Sequence, residues 1–132
     1  MTLFVIKDTD EYLSDIMRKV LNSYSIIENL SDQPNDLQVL EIELKKINGF
    51  LLVLIKKVNL LNDSPHSKKL EKRINLYFQN HDFSREINLL LDTYANDIHR
   101  VKNIRDSVIS SLNDNKLIEM IYEIYNLSLI HI

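Results

Sequence analysis

The chain has 132 residues, enough for one ordinary domain or two very small ones, and its 45% apolar and 27% charged residues suit a folded protein. A single Gly and two Pro point to long helices with few tight turns. Sixteen Lys and Arg against nineteen Asp and Glu give a net charge of −3 with no basic block, which removes the electrostatic footprint of a nucleic-acid binder. There is no Cys, so disulfides, thiolate nucleophiles and Cys-ligated zinc are excluded and a cytoplasmic setting is expected.

In chain order, TLFVI (Thr2–Ile6) is a short apolar run rich in strand formers, which predicts a buried strand. Asp8, with Glu11 three residues on, reads as a capping box for an amphipathic helix with Leu13, Ile16, Met17, Val20, Leu21 and Tyr24 inward. Ile26-Ile27 suggests a weak strand, and the polar stretch through Pro34 a linker. From Leu37, the steps Leu40, Leu44, Ile47, Leu51, Leu54, Val58 and Leu61 form a heptad-like seam that allows one helix over residues 36–62. Yet Leu40, Ile42 and Leu44 alternate with Glu41 and Glu43 ahead of Asn48-Gly49, a hairpin signal, so a two-strand hairpin is also open, as is a strand that bends at the glycine into a helix. Phe50–Ile55 is the longest apolar run and is far short of the ~20 residues that span a bilayer. The N-terminus lacks a signal-peptide layout.

Ser64 and Pro65 open a further helix with Leu70, Ile74, Tyr77 and Phe78 on one face. Asp82 caps the longest helical pattern, in which Phe83, Ile87, Leu90, Tyr94, Ile98, Val101, Val108 and Leu112 form a seam interrupted by Arg105. Asn113–Asn115 closes it. Lys116–Tyr125 then forms a second helix with Leu117, Met120, Ile121 and Ile124 inward, completing an antiparallel hairpin.

Two stretches resemble parts of two-component signalling proteins. LFVIKDTDEYLSDIMRKVL and DLQVLEIELKKINGFLLVLIKKV are similar to the first strand, acidic turn and first helix, and to the central strand, loop and next helix, of response-regulator receiver domains. Leu44, Ile47, Asn48, Gly49 and Phe50 match the loop after the phosphoacceptor, with Lys45 in place of its proline. The acidic pair becomes Lys7-Asp8, and Glu41 stands at the phosphoacceptor position. Glu is a methylene longer than Asp, and a misplacement of ~1 Å can cost about a hundredfold, so no phosphorylation of Glu41 is expected. The segment joining Ile27 to Leu37 is also shorter than the crossover that parallel strands need. Residues 1–62 are therefore expected to be a degenerate receiver-like segment.

DIHRVKNIRDSVISSL (Asp97–Leu112) resembles the dimerisation and phosphoacceptor helix of sensor histidine kinases with a His-Arg-Val-Lys-Asn box. His99, Arg100, Val101, Lys102 and Asn103 match that box, while Ile104-Arg105 depart from the Asn-Leu that follows it. Histidine phosphotransfer domains are a related look-alike, with His99 and Lys102 fitting their pattern. The resemblance implies His99 as phosphoacceptor, with Lys102 and Asn103 supporting it, in a helical region over residues 65–126. An imidazole is the side chain whose charge change lies nearest neutrality, which suits a ring nitrogen for nucleophilic attack on phosphorus.

Other candidates are weaker. Asp8, Asp10 and Glu11 could hold a divalent ion, but a place at a helix start explains them equally well. His66 and His81 lack a second ligand at metal spacing. Tyr24, Tyr77, Phe78 and Tyr94 fall on apolar faces and suit a core. The last six residues, LSLIHI (127–132), resemble the translation of a sequencing-library adapter, so the natural chain is expected to end near Asn126.

The expectation is thus an α+β, mainly α fold: a short receiver-like strand and helix piece followed by an antiparallel helical hairpin or bundle. The expected function is that of a two-component signalling fragment, a possible histidine kinase piece. ATP and Mg²⁺ would sit on a missing domain or a partner. The partners implied are a second copy through the helices and a receiver or kinase domain, with no nucleic acid and no membrane segment. The rival is a non-catalytic helical, coiled-coil-like interaction module.

Overall fold

The computed structural model describes the backbone of residues 2–57, 64–94 and 96–130 and the side chains of residues 11–57, 67–94 and 96–126. Six helices follow one another among these residues: α1 (Thr2–Glu28), α2 (Asp36–Lys57), α3 (Ser64–Asn80), α4 (Ser84–Thr93), α5 (Ile98–Asp114) and α6 (Leu117–Ile130). No strand occurs among the described residues. The mainly α expectation holds, and the receiver-like strand piece is corrected.

Thr2–Ile6 belongs to α1, and Asp8 lies inside that helix rather than at its start. A short apolar run is compatible with either a buried strand or a buried helix segment. A strand must also pair its backbone groups with neighbours, and here α2 offers a helix instead. Ile26 and Ile27 are likewise the last turn of α1, with Ile27 fully buried and Ile26 exposed.

In α2 the helical period prevails. Leu37, Leu40, Leu44, Ile47, Leu51 and Leu54 are all buried, and Lys56 and Lys57 complement the helix dipole in the last turn. Val58 and Leu61, the remaining steps of the expected seam, lie outside the described residues. Gly49 sits exposed within this helix and makes no turn.

The α1 and α2 helices form the most extensive pair, a hairpin whose shared seam is the centre of the core. Its loop contains Asp32 at φ 62°, a left-handed conformation that Asp tolerates better than most residues. Onto this hairpin pack α6, through α1 and α3, and α5, through α1, α2 and α6. The inward faces of α3 (Leu70, Ile74, Tyr77) and α6 (Leu117, Met120, Ile121, Ile124) are buried as their spacing predicts.

The long helix expected from Phe83 to Leu112 is two helices. Asp97 adopts an extended conformation (φ −83°, ψ 98°) and its carboxylate accepts a hydrogen bond from the Arg100 backbone N–H at 3.2 Å, capping α5. Asp competes with helical backbone bonding through its own side chain, so Asp97 starts a new helix after α4 has ended at Thr93. Ile87, Val101, Val108 and Leu112 are buried in the core, whereas Tyr94 and Ile98, at the break, are exposed. Arg105 interrupts the seam for a visible reason: its Nη1 donates to the Leu30 carbonyl at 2.8 Å, at the end of α1. The adapter-like residues 127–132 fall outside the described side chains. No described helix is long and apolar enough to cross a membrane.

Candidate functional site

Because α5 begins at Ile98, His99 occupies its first turn rather than the middle of a long helix, and its side chain is exposed. Lys102 and Asn103, three and four residues on, share its face and are also exposed. Asp97 takes the Arg100 N–H on its side chain and the Val101 N–H on its carbonyl, at 3.0 Å. The N–H groups of Ile98 and His99 are left without a bond among the described residues, as the start of a helix dictates. Arg100 is not free to help: its Nε lies 3.2 Å from Asp97 Oδ2 and its guanidinium covers the Tyr94 ring at 3.8 Å. The structure thus brings His99, Lys102 and Asn103 together on one exposed, weakly positive helix start.

Glu41 is elsewhere. It is half-buried on the second turn of α2 and pairs with Lys45, one turn along, at 3.6 Å. With α2 helical there is no strand end to place this carboxylate as a phosphoacceptor, which corrects the receiver-like position assigned to it. The side chains of Asp8, Asp10 and His66 lie outside the described residues, and Glu11 is exposed. No group of three His, Cys, Asp or Glu able to hold a metal occurs among the described residues.

A groove runs between α4 and α5. Leu90 and Ile104 line it, Leu89 and Tyr94 stand exposed at its edge, and Glu86 and Arg100 bring one charge of each sign. Asn103 belongs both to this groove and to a polar recess on the other side, which His81 and Asp114 line. His81, which follows α3 directly, is largely covered. Its ring stacks on Phe83 at 6.0 Å between centroids, and its Nε2 sits 3.6 Å from Asp114 Oδ2, beyond hydrogen-bond reach. No local spacing joins His81 to Asp114, so no sequence signal could have paired them. The fold and these side-chain placements must carry the functional argument, since the chain matches no family model, no curated protein and no solved structure.

Proposed function

We propose that the chain is a non-catalytic helical interaction module whose α4–α5 face packs against a second copy. One observation carries this reading: Leu89 and Tyr94, 58% and 42% exposed, flank a groove lined by Leu90 and Ile104 at the helix break. Apolar side chains scattered singly need no explanation, but their convergence on a groove is the usual mark of an interaction surface. Tyr and Arg are also the side chains that most often anchor interfaces, and here Arg100 is already stacked on Tyr94. The remainder of the Phe83–Leu112 seam is largely occupied within the chain, so the contact is expected to be confined to this break.

Sedimentation over micromolar concentrations tests the reading. The wild type should associate, and Leu89→Asp should stay monomeric with unchanged helicity, because its exposed position tolerates a charge in the monomer. A wild type that is monomeric throughout, or a variant that associates equally well, would overturn it.

A second reading keeps the two-component resemblance: His99 accepts a phosphoryl group from a kinase or phosphorylated receiver, with ATP and Mg²⁺ on that partner. It is favoured by the exposed imidazole at a helix start, where unpaired N–H groups and Lys102 would offset phosphate charge. Incubation with such a donor should then give an acid-labile, base-stable adduct that His99→Gln abolishes. Absence of labelling by kinase and receiver donors alike would remove this reading.

A further inference from the structure

Between the first turns of α2 and α5 lies a recess of about 190 Å³. Buried Leu37 and Val101 and the more open Ile98 give it hydrocarbon walls. An apolar cavity of roughly 150 Å³ accommodates benzene, so the space suits one small ring or a short branched chain.

Its polar lining is short of positive charge. Asp32 already faces Arg105, at 3.3 Å. Asp36 does not have such a partner among the described residues. It is only 3% exposed, its backbone N–H donates to the Gln33 carbonyl at 3.0 Å, and its carboxylate makes no bond or ion pair with any described residue. Gln33 spends its side-chain N–H on the Ser31 carbonyl at 3.2 Å, leaving its amide oxygen as a second acceptor at the same recess. A buried carboxylate is costly without a counter-charge. The start of α2 offsets part of that cost through the helix dipole, which explains how the charge is tolerated in the free protein but supplies no partner for it. A metal ion does not fit the hydrocarbon walls, and hard cations take several oxygen ligands.

We propose that this recess binds a small organic ammonium ion: a primary amine seated against Asp36, on an apolar body of about one ring packed on Leu37, Ile98 and Val101. The site is separate from the α4–α5 groove and does not depend on self-association.

Benzylamine, protonated at neutral pH, and benzyl alcohol, its uncharged counterpart, make the decisive pair. Each is titrated into the 132-residue chain and followed by amide chemical shifts. Benzylamine should bind roughly tenfold more tightly than the alcohol, the margin expected of a charge-assisted hydrogen bond, and should shift the amides of Leu37 and Val101. Asp36→Asn should bring the two ligands to comparable affinity while leaving the alcohol unaffected. Equal affinities in the wild type, shifts confined to other parts of the chain, or no binding of benzylamine up to the order of 10 mM would each overturn the proposal. The wild-type comparison decides the matter even where Asp36→Asn fails to fold.

Discussion

The hydroxyl of Tyr77, late in α3, donates to Oδ1 of Asn48, in the middle of α2, at 2.9 Å. The Tyr77 ring is 2% exposed and packs on Phe78 with centroids 5.3 Å apart at 60°. A phenol buried this deeply needs a partner for its hydroxyl, and Asn48 supplies it. The residue that reads as half of a hairpin turn is therefore used to join two helices.

That arrangement makes stability depend on alkaline pH. Burial, reinforced by the negative charge of Asp82, pushes the Tyr77 phenol far above its ordinary value near 10. Tyr24 moves the same way, chiefly through burial, with the Asn113 hydrogen bond opposing. For a group whose folded value is raised, stability is fully present below the unfolded value and lost as pH climbs towards the folded one, because only the unfolded chain releases the proton. Urea midpoints should therefore stay level to about pH 10 and fall beyond it. Tyr77→Phe should cost about 1 kcal/mol at neutral pH and make the alkaline fall shallower. A wild-type midpoint unchanged up to about pH 11 would contradict this account.

Gly49→Ala is expected to stabilise the protein. Gly49 is exposed inside α2 at an ordinary helical conformation, and a Cβ built there meets nothing within 4 Å. The helix gains roughly 0.5–1 kcal/mol from Ala at such a position, partly by narrowing the unfolded ensemble. Thermal melting should rise by roughly 2–5 °C. A lowered melting temperature would instead indicate that the glycine is needed for a bend.

What was legible in the sequence was periodic. Leu37 to Leu54, Leu70 to Tyr77 and Leu117 to Ile124 each repeat over two or more turns, and each is buried as spaced. Thr2–Ile6 reads as strand because five residues are too few for either period to show, and β-branched residues pull such a run towards strand. The break between α4 and α5 does not show in the sequence because Tyr94, Ile98 and Val101 keep helical steps straight across it, masking the capping Asp97 inside a continuous seam. Of the candidate site, the shared face of His99, Lys102 and Asn103 follows from their spacing alone. The Asp36 recess and the His81–Asp114 approach do not, since their parts come from distant stretches of chain.

Arg105 tests one such long-range link. Its side chain is 12% exposed, and its guanidinium reaches the Leu30 carbonyl at 2.8 Å and Asp32 at 3.3 Å. Hydrogen bonds from a charged donor contribute roughly 1.5–3 kcal/mol, so Arg105→Gln should lower unfolding free energy by an amount in that range. Amide exchange should quicken at Leu30 to Gln33 ahead of the rest of the core. Loss below about 0.5 kcal/mol, the usual scale of a surface substitution, would mean the contact merely decorates the loop.

Asp97→Ala separates a capped break from a continuous helix. If α4 and α5 formed one rod with an incidental kink, Ala would favour it, since Ala is the best helix former and Asp is among the poorer ones. The fold opposes that outcome. Ile87, on α4, is 2% exposed and α4 packs against α2, whereas α5 packs against α1, α2 and α6, so straightening the two would pull Ile87 out of the core. Removing Asp97 also leaves the Arg100 N–H without its acceptor and releases the Arg100 side chain that now covers Tyr94. The expected result is a loss of about 1 kcal/mol, the usual worth of an N-cap carboxylate. Amide exchange should rise from Ile98 to Val101 while Val108 and Leu112 stay protected. Higher stability together with slower exchange across Tyr94 to Val101 would show that the two helices fuse when the cap is gone, and that the break is held by Asp97 alone rather than by the packing on either side.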